Sequence, residues 1–134
     1  MYEEKGKFYL FVKSSPNPDN LLLLVSDHVN GKFERVEGFD DSMGAQTKGM
    51  YEAPTAVKLA DGRWCLFADF YGAGCGGQGY VPFVSDDLTK GVFPRADEAF
   101  HFPYGFKHGT ILPITEEEYE RILARDWTDV PDLR

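Results

Sequence analysis

The sequence predicts an all-β fold with one short helix near its C-terminal end, on three observations. Apolar or alternating runs of about four to eight residues, rich in Val, Ile, Leu, Phe and Tyr, recur along the chain. Turn residues separate them: Ser14-Ser15-Pro16-Asn17-Pro18-Asp19-Asn20, then Asn30-Gly31, then Asp61-Gly62, which is a hairpin signal. Only one stretch carries a helix start signal. The runs expected as strands are Phe8–Val12, Leu21–Val25, Phe33–Val36, Pro54–Leu59, Arg63–Phe70, Tyr80–Ser85, a weak piece at Val92–Phe93, and His108–Pro113.

The helix is expected near 115–125. Thr115 and Glu118 form a capping box, and the acidic first turn Glu116-Glu117-Glu118 suits the helix dipole. Tyr119, Ile122 and Leu123 then fall on one face. The tail from Trp127 to Arg134 holds Pro131 and reads as irregular. Asp40-Asp41 read as a solvated loop.

Composition bounds the function. The chain is 43% hydrophobic and 15% aromatic, enough to bury a core. Its formal net charge of -8 argues against nucleic acid and against an anionic membrane surface, both of which attract basic faces. A neutral partner such as a sugar is compatible. No apolar run reaches membrane-spanning length, and Met1-Tyr2-Glu3-Glu4-Lys5 does not resemble a signal peptide, so the compartment stays open. Cys65 and Cys75 form neither a zinc pattern nor a Cys-x-x-Cys motif, and free thiols are the expectation.

Two segments echo each other. Gly6-Lys7-Phe8-Tyr9-Leu10-Phe11 matches Gly62-Arg63-Trp64-Cys65-Leu66-Phe67, and Ser26-Asp27 matches Ser85-Asp86. Tandem units of this kind favour propeller blades over a sandwich or a simple barrel. The expected division is one domain over 1–134: an incomplete blade at 1–40, a full blade at 50–98, a first strand of a last blade at 107–114, and helix and tail at 115–134. The first unit is expected to lack the leading strand that the second has. Further blades or a homo-oligomer would then be needed to close the ring.

Few stretches carry chemistry. Gly74-Cys75-Gly76-Gly77-Gln78-Gly79 has the letters of a dinucleotide loop, but a strand follows it rather than a helix, so no helix N-terminus faces a phosphate. His28 and His101 show no metal-ligand spacing, whereas His108 starts an apolar run. Glu52 heads another and has only uncharged neighbours from Gly49 to Val57. Such surroundings predict a carboxyl that keeps its proton to higher pH, as a general acid must. Asp69, in Phe67-Ala68-Asp69-Phe70, is the best internal candidate for a second carboxylate, against a reading as a strand-end acceptor.

Taken in order, Glu52-Ala53-Pro54, Gly62-Arg63-Trp64-Cys65-Leu66-Phe67, Gly79-Tyr80-Val81-Pro82-Phe83, Ser85-Asp86-Asp87-Leu88 and His108-Gly109-Thr110-Ile111 resemble the C-terminal part of family 43 glycoside hydrolases. That is the arabinofuranosidase, arabinanase and xylosidase group, and the likeness is greatest to the exo-arabinofuranosidase type. The resemblance implies a five-bladed β-propeller, of which about two blades plus one inner strand are expected here. It implies inverting hydrolysis of arabinose- or xylose-containing oligo- or polysaccharides, with two aspartates from earlier blades and Glu52 as the general acid. His108 matches a central histidine often linked to a metal ion or ordered water, so His108 is the expected metal contact, with Ca2+ allowed near the propeller centre and no cofactor required. Tyr51 and Phe70 are expected beside the substrate. Ala53 stands where the family usually has glycine, and Lys107 where arginine is frequent. Nothing aligns with the general-base aspartate, so the chain alone is expected to be inactive. The alternative is a non-catalytic carbohydrate-binding or inactive remnant, in which Tyr51, Trp64, Phe70, Tyr71 and Tyr104 are candidates for stacking on sugars.

Overall fold

The structure is a computed structural model describing residues 1–14, 21–46, 50–71, 79–100, 102 and 105–125. The fold is built mostly from two antiparallel sheets. The first is a four-stranded meander of β1 (Tyr2–Glu4), β2 (Lys7–Lys13), β3 (Leu21–Ser26) and β4 (Glu34–Arg35). The second contains β5 (Met50–Lys58), β6 (Trp64–Tyr71) and β7 (Gly79–Ser85). An isolated bridge from Phe83 to Arg95 lies where a fourth strand would add to β7.

The six main apolar runs form strands where the sequence places them, within a few residues at their ends. The first unit does have a leading strand, contrary to expectation. Tyr2–Glu4 pairs with β2 through a turn whose residues Lys5 and Gly6 both take the left-handed conformation, with φ 52° and 75°, as the tightest hairpins require. The strand is only three residues long and half polar, so it leaves little periodic signal. The two sheets thus share one layout, β1 answering to β5, β2 to β6 and β3 to β7.

One face of each sheet packs on the other. Strand alternation puts Tyr9 and Phe11 of β2 and Leu21 and Leu23 of β3 on one side, where they join Trp64, Leu66 and Ala68 of β6 in one core. Tyr2 links the sheets: its ring meets the edge of Trp64 at 5.4 Å, and its hydroxyl accepts the Ala56 backbone N–H at 2.7 Å. Cys65 and Phe67 point to the opposite face of β6, into a smaller cluster with Tyr80 and Val84. Cys65 is a free thiol, and burial pushes its pKa up to about 12. Cys75, His101, Tyr104 and the tail from residue 126 lie outside the described residues, as does the glycine-rich loop at 72–78.

Two other expectations are corrected. Asp40 and Asp41 lie in the first turn of a helix, α1 (Phe39–Gln46), rather than in a loop. Phe39 and Met43, four positions apart, bury into the core, and Asp40 pairs with Arg35 at 2.8 Å. Val92–Phe93 forms no strand: Phe93 is a core plug, completely buried, its ring 5.7 Å from Phe11 and 5.4 Å from Phe39.

Residues 107–114 form no strand either. His108 has a left-handed backbone, φ 52°, and its N–H is taken by a side chain instead of a neighbouring strand. Leu112 and Ile114 are exposed. The C-terminal helix, α2 (Glu116–Ala124), forms as its sequence predicts, with both halves of the Thr115–Glu118 capping box in place. Among the described residues, no helix is long and apolar enough to cross a membrane.

Candidate active site

Glu52, Asp69 and His108 come together, with one ligand-type atom of each within 4.8 Å of the others. The sheet register produces the carboxylate pair. Glu52 of β5 lies directly opposite Asp69 of β6, while the next rung pairs Tyr51 with Phe70. Successive strand residues face opposite ways, so Glu52 and Asp69 share one face, and Tyr51 and Phe70 the other. A register irregularity between Glu52 and Thr55 bends β5 directly after the glutamate, and Ala53 there has φ 46°. His108 arrives from the irregular segment before α2, with its backbone N–H donating to Asp69 Oδ2 at 3.0 Å. Its Nε2 lies 3.7 Å from Glu52 Oε1 and 3.6 Å from Asp69 Oδ2. Ala53 and His108 are thus two non-glycine residues in the left-handed region beside one cluster, a kind of backbone strain that concentrates at functional sites.

The two carboxylates differ in environment. Asp69 is 1% exposed, and its Oδ1 has no hydrogen-bond partner. Burial pushes its pKa above the ordinary aspartate range, opposed by the His108 N–H and the charges of His108 and Lys107. Glu52 behaves in the opposite way to the sequence expectation. Lys13, from the end of β2 in the other sheet, places Nζ 2.9 Å from Glu52 Oε2. This charged hydrogen bond is the main reason the glutamate lies below its ordinary range, and it outweighs partial burial. The neighbours of Glu52 in sequence are neutral; its neighbour in space is not.

Tyr51 is 2% exposed and packs on Phe70 at 5.7 Å and Phe83 at 5.5 Å, so its ring belongs to the core and is not open to a ligand. Phe70 is half-buried against the same core. Trp64 is buried between the sheets, and His28 is exposed. Asp69 is the strand acceptor the sequence suggested, set within β6 rather than at its end. Lys13 escaped sequence reading altogether: a lysine closing an apolar strand carries no local sign of a carboxylate 39 positions away.

The trio also has the donor types of a metal site. Calcium takes about six to eight oxygen ligands. Here one carboxylate is already paired with Lys13, the other accepts a backbone N–H, and the third donor is nitrogen. The three groups by themselves do not fit that ion. A cleft of about 550 Å³ elsewhere is lined by Arg63, Lys90, Arg95 and Asp87 among others. Its two arginines are held by Asp61 and Asp97, and among the described residues it has no comparable cluster of acid and imidazole.

The chain is thus a mostly β domain with a carboxylate–histidine cluster beside a strained strand. A family profile described as a probable glycosyl hydrolase domain, related to glycosyl hydrolase family 43, matches residues 1–120, and the chain belongs to that family. Comparison with curated proteins and with solved structures found no match.

Proposed function

We propose that the chain is part of an inverting glycoside hydrolase acting on arabinose- or xylose-containing oligo- or polysaccharides, and that it supplies the general acid, Glu52. The observation that carries this reading is the meeting of Glu52 and His108. They are 56 positions apart in the sequence, yet they lie 3.7 Å from each other beside a strand irregularity, in a chain of a glycosyl-hydrolase-related family. The repeated layout of the two sheets supports a propeller, with its ring closed by further blades or a second copy of the chain.

Asp69 is not the base of this reaction. Inverting enzymes hold their carboxyl groups about 6.5–9.5 Å apart to admit a water. Asp69 approaches Glu52 within 4.8 Å and is buried, so it has neither the space nor the access. Its role here is to hold His108, and the base comes from outside the trio.

The test is hydrolysis of arabino- and xylo-oligosaccharides by the complete gene product, with the configuration of the first-formed sugar followed by proton NMR. Inverted product, and its loss in Glu52→Gln, is expected. Retained configuration, or full activity in Glu52→Gln, overturns the proposal. The absence of a well-spaced second carboxylate in the cluster favours a second reading, carbohydrate binding without turnover. Calorimetry with the same oligosaccharides would then show binding and no product.

A further inference from the structure

The two oxygens of Glu52 face different groups. Oε2 accepts from Lys13 Nζ at 2.9 Å, whereas Oε1 faces His108 Nε2 at 3.7 Å. Lys13 is itself held in place: its Nζ lies 4.4 Å from the centroid of the Tyr71 ring. The ammonium therefore reaches from β2 of the first sheet to two adjacent strands of the second, braced on β6 and bonded to β5. An ammonium has three donors and no acceptor, so a carboxyl proton placed on Oε2 would point at another donor. The proton is therefore better placed on Oε1.

We infer that Lys13 is a positioning residue that assigns the acidic proton of Glu52 to Oε1, on the His108 side, and so fixes the direction from which a glycosidic oxygen must approach. The inference rests on the proposed glycosidase reading and adds the residue that sets the geometry of its acid. In the step, the bond from the anomeric carbon to the leaving oxygen breaks, and its electron pair stays on that oxygen. The oxygen takes the Oε1 proton, and water forms the new bond to carbon and gives its own proton to the base. Glu52 is left as a carboxylate, already paired with Lys13.

The titratable and charged groups facing Glu52 are Lys13 from β2, Asp69 from β6, and Lys107 and His108 from the segment before α2. Of these, Lys13 makes the direct bond to the carboxylate and is the main cause of its lowered pKa. Lys13 thus has two opposed effects: it orients the proton and reduces the fraction of Glu52 that carries one. Removal of Lys13 raises that fraction and loses the orientation.

Leaving-group dependence separates orientation from general damage. Dinitrophenyl glycosides depart without protonation, and oligosaccharides do not. In the complete gene product, Lys13→Met is expected to lower kcat on xylo- or arabino-oligosaccharides by about 10-fold or more, with less than about a threefold fall on the matching dinitrophenyl glycoside. Lys13→Arg, which keeps the charge and the donors, restores most of the oligosaccharide rate. Equal losses on both substrates, or no loss on oligosaccharides, overturn the role of Lys13. Glu52→Gln is run beside it. A selective loss in Glu52→Gln without one in Lys13→Met removes only this inference, whereas a non-selective Glu52→Gln, or no turnover of either substrate by the unsubstituted protein, removes the glycosidase reading and the inference together.

Discussion

Asp69 accepts the backbone N–H of His108 at 3.0 Å, across 39 positions of sequence. This bond satisfies a donor that a strand would have supplied to a neighbour, and it holds His108 in the left-handed region beside Glu52. Asp69→Ala is expected to destabilise the fold by about 1–3 kcal/mol, since the N–H loses its acceptor. Asp69→Asn keeps an acceptor and removes the buried charge, so it should cost less. Urea unfolding of the two variants at neutral pH checks the order; an equal loss in both would show that the hydrogen bond is not the stabilising element.

The same carboxyl gives a pH dependence with a defined sign. Burial raises its folded pKa above the ordinary aspartate value, so between the two values the folded state binds more protons than the unfolded chain. The stabilising effect of that proton is complete below the unfolded pKa and is lost as pH rises through the folded one. The stability of the unsubstituted protein relative to Asp69→Asn should therefore decline over that window and then level off. Paired urea titrations at pH steps from about 3.5 upward read the difference directly; a relative stability that rises with pH would contradict the buried, raised carboxyl.

Ala53 has φ 46°, immediately after Glu52. The left-handed conformation costs an L-residue about 1–2 kcal/mol, and glycine gives back about 0.5–1 kcal/mol of that through the entropy of its unfolded state. Ala53→Gly should thus be neutral to stabilising by about 1 kcal/mol, while Ala53→Val, β-branched at the same φ, should destabilise. Thermal unfolding of the pair measures both. Loss of stability in Ala53→Gly would mean that the methyl group makes a packing contact worth more than the strain.

Sequence and structure agree where the information is local. The strands follow from apolar runs of the right length, and α2 from a capping box with both partners within four residues. They part where a partner comes from far along the chain. Ile111-Leu112-Pro113-Ile114 looks like a strand, but the N–H of His108 is committed to Asp69 and the segment stays irregular. Phe39 and Met43 mark α1 with only two apolar positions, while Asp40, Asp41 and Ser42 imitate a loop. Neutral sequence neighbours predict a raised pKa for Glu52, and Lys13 reverses the direction from the other sheet. The pairing of Glu52 with Asp69 depended on a strand register that composition does not encode.

Gly91 and Gly62 both have positive φ, 66° and 89°, but different surroundings. A Cβ at Gly91 would lie 2.7 Å from Glu37 O, just before α1, and from Phe39 N at its start, whereas a Cβ at Gly62 meets nothing within 4 Å. Gly62→Ala should cost only the backbone term of about 1–2 kcal/mol. Gly91→Ala adds a steric clash that backbone must absorb, and a loss greater by at least about 1 kcal/mol is expected. Denaturant midpoints of the two variants decide it, and similar losses would place α1 further from Gly91 than described.

The contact of β1 with β5 provides the last test, because it joins the two sheets. Ala56 is 3% exposed, and its N–H donates to the Tyr2 hydroxyl at 2.7 Å. The Tyr2 ring also packs on Trp64 and Phe11, at 5.4 and 6.0 Å. Tyr2→Phe keeps the ring and removes only the acceptor, so a buried N–H is left unpaired at a cost of about 1–3 kcal/mol. Tyr2→Ala also removes aromatic area between the sheets and should cost more, about 3 kcal/mol or above for a large side chain of this kind. Amide hydrogen exchange gives a local readout: the Ala56 N–H should exchange faster in Tyr2→Phe, while N–H groups inside the β2–β3 ladder keep their protection relative to global stability. Unchanged exchange at Ala56 would mean that the first strand does not cover β5, and the packing of the two sheets would have to be redrawn.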